Sequence, residues 1–187
     1  MAFDSPLAGE IWSSKYRFRP QDGPGDATVE ATWDRVATAL AEAEPAKSRG
    51  RWRARFREAL EGYRFLPAGR ILAGAGTGRA VTLFNCFVMG TVPDDLDGIF
   101  QHLREAAVTM QQGGGVGMDF STVRPSGAPV RGVGAEASGP LSFMDVWDSM
   151  CRTIMSAGQR RGAMMGCLRI DHPDIEAFID AKRNAVR

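Results

Sequence analysis

Two hydrophobic periodicities run through the second half of the chain, and together they predict an α/β fold. Apolar residues at every second position indicate strands, whereas repeats of three and four residues indicate helices. The predicted strands are 81–89, 116–123 and 163–170, and the helices predicted to follow them are 94–112, 138–157 and 172–183. Three strands that are each followed by a helix are typical of parallel βαβ units.

The first part of the chain has helical periodicity only. An apolar stripe after the capping residue Thr28 predicts a helix to about residue 43, and a second helix is predicted over 51–62 with its arginines outward. Proline and glycine interrupt residues 1–26, which predicts an extended arm. The sequence therefore predicts an arm and helical hairpin over residues 1–64 and the α/β region over residues 65–187.

The start of the second region is unusual in composition. Residues 65–78 are small, glycine-rich and weakly apolar, which predicts either a buried loop or a segment that leads to a functional site. The three predicted strands also leave a sheet edge without a partner, which is an aggregation hazard unless something covers it. The α/β body is therefore expected to be incomplete.

Composition and charge indicate the broad class of protein. The 187 residues are 44% hydrophobic and 24% charged, and the formal net charge is +1, so the sequence predicts a soluble globular protein without general attraction for nucleic acid or membrane. No apolar run approaches the roughly 20 residues that span a bilayer. The first ten residues lack a signal-peptide core, which predicts a cytoplasmic location.

Three cysteines, Cys86, Cys151 and Cys167, occur with only two histidines and without metal-ligand spacing. We therefore expect no structural metal site. From pattern alone, each cysteine is most simply a small buried hydrophobic residue, and this applies to Cys86 within its predicted strand as well.

A glycine run at 113–117 follows a predicted helix and precedes a predicted strand. A dinucleotide-binding turn has the opposite order, from strand to helix, so that motif is not indicated. Two interpretations stay open. The glycines end the helix and form a tight loop, or they leave a bare backbone that a ligand approaches closely.

Ligands of parallel α/β proteins gather at the carboxyl ends of the strands. We therefore expect residues 90–95, residues 124–138 and the junctions around Gly113 and Gly158 to converge there. Arg124 and Arg131 are candidates for holding phosphates by charge-assisted bonds, although exposed solubilising arginines are an equally simple interpretation.

Six ordered motifs carry a family resemblance. They are Asn85-Cys86-Phe87-Val88, the run from Gly113 to Ser121, Val123-Arg124-Pro125, the run from Ser138 to Met144, the run from Ala157 to Met165, and His172-Pro173-Asp174-Ile175-Glu176. Taken together, they resemble the N-terminal portion of adenosylcobalamin-dependent (class II) ribonucleotide reductase. The resemblance is close over residues 65–187 and loose over the N-terminal helices.

This resemblance implies the first βα units of a ten-stranded α/β barrel. Such enzymes reduce ribonucleotides to deoxyribonucleotides by a thiyl radical that cobalamin initiates. The resemblance suggests diphosphate substrates, while the sequence leaves diphosphates and triphosphates open. The partners implied are a ribonucleotide substrate, a deoxynucleotide effector, the remainder of the reductase chain, a thioredoxin-type reductant and a second copy in a homodimer.

The resemblance also implies roles for particular residues. Cys86 matches one member of the redox pair. The implied substrate contacts are Asn85, Cys86, Gly114 and Gly115. The implied effector contacts, near the dimer interface, are Asp94, Asp95, Leu96, Arg124 and Arg131. The implied specificity loop, which relays effector identity to substrate choice, consists of Gln159, Arg160, Arg161, Gly162 and Ala163.

Parts of the family pattern are absent from the sequence. The radical-bearing finger loop, the second redox cysteine and the cobalamin-binding remainder have no counterpart, and neither Cys151 nor Cys167 has the required neighbours. We therefore expect a segment that is not competent alone, with adenosylcobalamin bound mainly by parts outside it. A stand-alone nucleotide-binding regulatory module is the alternative, and a relic that folds poorly is a third possibility.

Overall fold

The computed structural model describes residues 3, 5–130, 132, 134–154 and 162–183. The chain forms two compact units, Met1–Phe84 and Asn85–Arg187. Their boundary lies later than the composition change at residues 64 and 65. The reason is that Leu72 and Ala75, from the glycine-rich stretch, are buried in the core of the first unit.

The first unit is helical. Its elements are α1 (Pro6–Ile11), a π-helical turn (Trp12–Tyr16), α2 (Val29–Ala41), a 3-10 turn (Ala46–Ser48), α3 (Arg49–Leu60), a second 3-10 turn (Glu61–Tyr63) and α4 (Gly69–Gly74). The predicted extended arm is wrong over α1, where Ser5 caps the helix by accepting a hydrogen bond from the Ala8 amide. The predicted loop over residues 65–78 is wrong over α4, which is helical.

A buried carboxylate ties the arm to α2. Asp26 is 4% exposed and accepts hydrogen bonds from Arg35 Nη2 at 2.8 Å, Thr32 Oγ1 at 2.7 Å and the Phe18 amide at 3.0 Å. Burial alone raises the pKa of Asp26, but these hydrogen bonds and the charge of Arg35 outweigh it, so the pKa lies below its ordinary value of 3.8.

We expect acid to destabilise the first unit partly through Asp26. Because the pKa is lower in the folded state, the carboxylate contributes its full stability above about pH 4 and loses it as the pH falls through the folded pKa. Between about pH 7 and about pH 3, the free energy of unfolding should therefore fall further in the wild type than in Asp26→Asn. Urea unfolding at both pH values measures this, and equal losses in the two proteins would contradict it.

The second unit confirms the predicted parallel α/β units. Its elements are β1 (Cys86–Thr91), α5 (Leu96–Gln111), β2 (Gly115–Asp119), β3 (Pro129–Val130), β4 (Ala135–Glu136), α6 (Gly139–Thr153), β5 (Met164–Cys167) and α7 (Ile175–Asp180). Strands β1, β2 and β5 form a parallel sheet in that order, and β3 pairs with β4 in a small antiparallel hairpin. The described strands do not close into a barrel.

The two faces of the parallel sheet differ. One face packs against α5 and α6 around a buried core. That core consists of Val92, Ile99, Ala106, Met110, Val116, Met118, Phe120, Val123 and Trp147. On the opposite face, which we call the open face, Val88 is 95% exposed and Met165 is 61% exposed. Nothing in the described residues covers the open face.

The first strand begins later than predicted. The apolar alternation from Val81 suggests a strand, but pairing starts at Cys86, which lies beside Gly115. The side chains of Val81 and Leu83 instead lie against Gly74 in the first unit.

Within the described residues, no helix is both long enough and apolar enough to cross a membrane.

Candidate functional site

The candidate substrate residues meet where the parallel strands begin, which we call the amino edge. The Gly115 amide donates to the Asn85 carbonyl at 2.8 Å, and the Val116 amide donates to the Ala163 carbonyl at 3.0 Å. Asn85, Cys86 and Ala163 are exposed, whereas Gly115 is buried between the flanking strands. The amino edge therefore combines a thiol and an amide side chain with a nearly bare backbone.

The glycine run divides into separate structural roles. Gly113 has φ +91°, its amide donates to the Met110 carbonyl at 2.8 Å, and the Gly114 amide donates to the Thr109 carbonyl at 2.9 Å. This pair of bonds is a Schellman motif that ends α5. A Cβ on Gly114 would lie 2.8 Å from Phe87 and from Thr109, so packing requires that glycine. The helix-ending interpretation is therefore correct for the first two glycines.

The chain's own packing does not require the later glycines. A Cβ on Gly115 or Gly117 would make only ordinary contacts, at 3.4 Å or more and 3.6 Å or more. Gly117 is half-buried on the open face, next to Met165. No role was predicted for Gly117 from the sequence. The spacing of two residues nevertheless places Gly115 and Gly117 on the same face of the sheet as Cys86.

Cys86 is exposed, so the buried thiol that the pattern favours is wrong. Exposure alternates along β1, with Cys86 and Val88 outward and Phe87 and Met89 toward the helices. Cys167 is also exposed, but it pairs with Asp119 at the far end of β2. The two thiols therefore lie at opposite ends of the sheet.

Cys151 belongs to the packed interior. It is half-buried, and its Sγ donates to the Gly162 carbonyl at 3.3 Å. Burial raises the pKa of the Cys151 thiol, and the charge of Asp148 raises it further. The thiol therefore stays protonated and is a poor nucleophile.

The candidate effector residues lie where the strands end, which we call the carboxyl edge. Arg124 Nε lies 3.0 Å and 2.9 Å from the two carboxylate oxygens of Asp94, and the Arg124 amide donates to Asp94 Oδ1 at 3.0 Å. Each side chain is about one-third exposed. Asp94 thus orients a guanidinium group at the surface of the carboxyl edge.

The remaining effector candidates have different surroundings. Asp95 is the cap of α5 and accepts a hydrogen bond from the Gly98 amide at 2.7 Å, so the helix begins at Leu96, two residues after the predicted start at residue 94. Leu96 is 63% exposed. Arg131 lies outside the described residues, as do Gln159, Arg160 and Arg161 of the specificity loop. Of that loop, Gly162 and Ala163 are described, immediately before β5.

The structure separates the candidate residues into two groups. Asp94 and Arg124 follow strands at the carboxyl edge, whereas Gly113 precedes a strand and lies at the amino edge. The expected convergence of all these segments at one edge is therefore wrong. Between the edges lies the length of β2, which is about 13 Å from Gly115 to Asp119 at the usual rise per residue.

Two family models match the chain. One, described as the barrel domain of ribonucleotide reductase, matches residues 84–187, and the other, described as its all-alpha domain, matches residues 2–80. The barrel-domain match covers more than half of the chain. The chain belongs to the ribonucleotide reductase family. The division between the two matches agrees with the two compact units of the structure.

Several ribonucleotide reductases are similar to this chain. A vitamin B12-dependent ribonucleoside-diphosphate reductase of Mycobacterium tuberculosis (strain CDC 1551 / Oshkosh) is 40% identical over 183 residues, which are 95% of this chain and 26% of that relative. The protein of the same name from Thermoplasma acidophilum is 35% identical over 178 residues, which are 95% and 22%. A ribonucleoside-diphosphate reductase subunit alpha of Chlamydia muridarum is 30% identical over 167 residues, which are 89% and 16%.

The chain is much shorter than these relatives. The chain spans 26% or less of each of these three curated relatives. Family membership therefore extends to the helical unit and to the first α/β units, which are the parts present in this chain.

Proposed function

We propose that this chain contributes the first α/β units and one redox cysteine to a class II ribonucleotide reductase that converts ribonucleoside diphosphates to deoxyribonucleoside diphosphates. One observation carries the proposal: Cys86 is exposed beside Asn85 at a bare amino edge, within a chain that belongs to this family. The relatives named as vitamin B12-dependent support the class.

The proposed chemistry uses Cys86 as a source of reducing equivalents. Two thiols lose two hydrogen atoms and form a disulfide, while the ribose C2′–OH bond becomes C2′–H and releases water. A thiyl radical starts the reaction and is regenerated. The disulfide must then be reduced by an external dithiol of the thioredoxin type, which restores both thiols. Asn85 is positioned to donate or accept hydrogen bonds with the nucleotide, while Gly114 and Gly115 bring β2 alongside Cys86.

The second thiol of the pair must come from outside the described residues. A disulfide needs Cα atoms within about 7 Å of each other. Cys167 lies a strand length away from Cys86. The Sγ of Cys151 donates a hydrogen bond to the Gly162 carbonyl on the side of the sheet that the helices cover. Residues elsewhere in the reductase are therefore expected to supply both the partner thiol and the radical.

Neither histidine marks a cobalamin site in the described residues. His172 uses both ring nitrogens in hydrogen bonds to protein atoms, and His102 uses Nδ1 in a hydrogen bond with the Gly98 carbonyl within α5. Among the described residues, no group of three or more His, Cys, Asp or Glu side chains is placed to hold a metal ion. We expect adenosylcobalamin, which supplies the radical when bound, to be held by other parts of the reductase.

The carboxyl edge suits a deoxynucleotide effector. The guanidinium group of Arg124 is oriented by Asp94 and only partly exposed, which favours charge-assisted bonds to a phosphate. Leu96 is exposed next to the cap residue Asp95, and it offers an apolar contact for a base or sugar. We propose that Arg131 and the specificity loop complete this site.

We also propose a homodimer that forms through the outer face of α5 and α6. Leu96, Phe100 and Val108 are exposed at four- and eight-residue spacing along α5, and Val146 is exposed on α6. An apolar helical face of this kind is stabilised by burial against a second copy of itself. The effector site, which begins at Leu96, would then lie beside the interface.

Replacing Phe100 with Asp is expected to weaken this dimer. Phe100 is a large apolar residue at the centre of the face, and burying a carboxylate there is unfavourable, so the dissociation constant should rise by at least about tenfold. Analytical ultracentrifugation measures the change. Gln101→Asp adds the same charge at a neighbouring exposed position and should have less effect. Equal dissociation of both variants would argue against this face.

The function itself is tested by turnover. The complete native polypeptide, supplied with adenosylcobalamin, a ribonucleoside diphosphate and a dithiol, should form the deoxyribonucleoside diphosphate. Chromatography of the nucleotides measures the product. A folded protein that binds deoxynucleotides but forms no product under these conditions would instead favour the regulatory-module alternative.

A further inference from the structure

The segment that follows β5 holds the stretch that carries Arg124. Three hydrogen bonds connect them within the second unit. The Arg169 amide donates to Ser121 Oγ at 2.8 Å, His172 Nε2 lies 2.9 Å from the Val123 carbonyl, and the Ser126 amide donates to the Asp174 carboxylate at 2.9 Å. The backbone on both sides of Arg124 is therefore fixed from the β5 side of the sheet.

His172 makes the most buried of these contacts. It is 7% exposed, and Val123, which it meets, is 2% exposed. The Asp174 amide donates to His172 Nδ1 at 3.1 Å, so Nδ1 is the acceptor nitrogen. The hydrogen-bond network thus assigns the proton to Nε2, which donates to the Val123 carbonyl.

Arg124 is held from two directions. Asp94, in the loop that follows β1, fixes the guanidinium group, and the hydrogen bond from His172 fixes the backbone one residue before Arg124. Asp174 fixes the backbone two residues later, at Ser126. Removing a contact from the β5 side should therefore move the guanidinium group relative to any anion that it binds, without removing a charge from the site.

We propose that His172 and Asp174 are positioning residues for the effector site. The inference rests on the effector assignment of the proposed function and extends it to a motif, His172-Pro173-Asp174, that had no role. Neither residue needs to touch the effector. Both belong to the segment that continues β5, the strand that begins directly after Gly162 and Ala163 of the specificity loop.

Two isosteric substitutions separate the two ring nitrogens. Gln places an amide NH₂ near the position of Nε2 and can still donate to the Val123 carbonyl, whereas Asn reaches only the position of Nδ1 and cannot. His172→Asn should therefore weaken effector binding by about tenfold, a usual size for coupling between two sites, because the backbone before Arg124 is no longer held in position for the anion. His172→Gln should stay within about twofold of the wild type, because it keeps that bond.

The test is calorimetric titration of the complete native polypeptide with each of the four deoxynucleoside triphosphates. The KM for substrate measured without effector and the circular dichroism spectrum should be the same in all variants, since a disturbed substrate site would change the first and a loss of folding would change the second. Where His172→Asn fails to fold, Asp174→Ala and Asp174→Asn provide the same comparison. Alanine loses the acceptor for the Ser126 amide and should weaken effector binding, whereas asparagine keeps an acceptor and should not.

The outcomes distinguish this inference from the proposed function. If the wild-type protein binds no deoxynucleotide, both the effector site and the positioning role are overturned. If the wild type binds but His172→Asn binds equally tightly, or His172→Gln is weakened as much as His172→Asn, only the positioning role is overturned. Weakening by Asn with rescue by Gln supports it.

Discussion

Replacing Cys86 with Ser is expected to abolish multiple turnover with a dithiol reductant. Serine keeps the size and hydrogen bonding of the side chain but cannot form a disulfide, so the two electrons needed for each ribose reduction are no longer available. Deoxyribonucleotide formation by the complete native polypeptide, followed over many equivalents of enzyme, measures the loss. Substrate binding should change little, because no charge or bulk is altered.

Cys167→Ser is the matched control. Cys167 is also exposed but lies at the carboxyl edge, a strand length away from Cys86, so its replacement should leave multiple turnover intact. Unchanged multiple turnover in Cys86→Ser would remove the redox assignment. Equal loss in both serine variants would point to a general sensitivity to the loss of exposed thiols rather than to a role of Cys86.

Trp147→Ala is expected to destabilise the second unit by about 3–5 kcal/mol. Trp147 is fully buried, and its ring meets Phe120 edge to face, with centroids 5.3 Å apart at 82°. Alanine would leave a cavity between α6 and the covered face of the sheet, which the surrounding side chains fill only in part. Urea denaturation followed by circular dichroism measures the change in the free energy of unfolding.

Trp147→Phe gives a sharper version of this test. The indole Nε1 is buried without a hydrogen-bond partner among the described residues, so phenylalanine removes an unsatisfied donor while keeping an aromatic contact with Phe120. The loss should therefore be only about 1–2 kcal/mol. A phenylalanine variant as unstable as the alanine variant would mean that the indole nitrogen makes a stabilising interaction, for example with water.

Local chemistry explains what the sequence predicted well. Thr28 lies at the start of its helix, as predicted, because its side chain accepts a hydrogen bond from the amide three residues later, a contact that depends only on nearby residues. The order of strands and helices follows from periodicity for the same reason. The parallel α/β units were therefore predictable, and the structure confirms them.

Long-range pairing explains what the sequence predicted poorly. The start of β1 is set by pairing with Gly115, and the ion pair of Asp94 with Arg124 joins residues 30 positions apart, so neither follows from a local pattern. The exposure of Cys86 was missed because parallel strands are usually covered on both faces. The division of the candidate residues between the two edges could have been derived from the sequence, because the segments before and after a strand lie at opposite ends of that strand.

The two edges of the sheet have a kinetic consequence. Substrate at Cys86 and effector at Arg124 would be separated by the length of β2, so the two nucleotides would not occupy the same space. An effector would then change the rate or the apparent affinity for substrate without displacing it. Saturating substrate should therefore not reverse the action of the effector, and double-reciprocal plots should show a mixed rather than a competitive pattern.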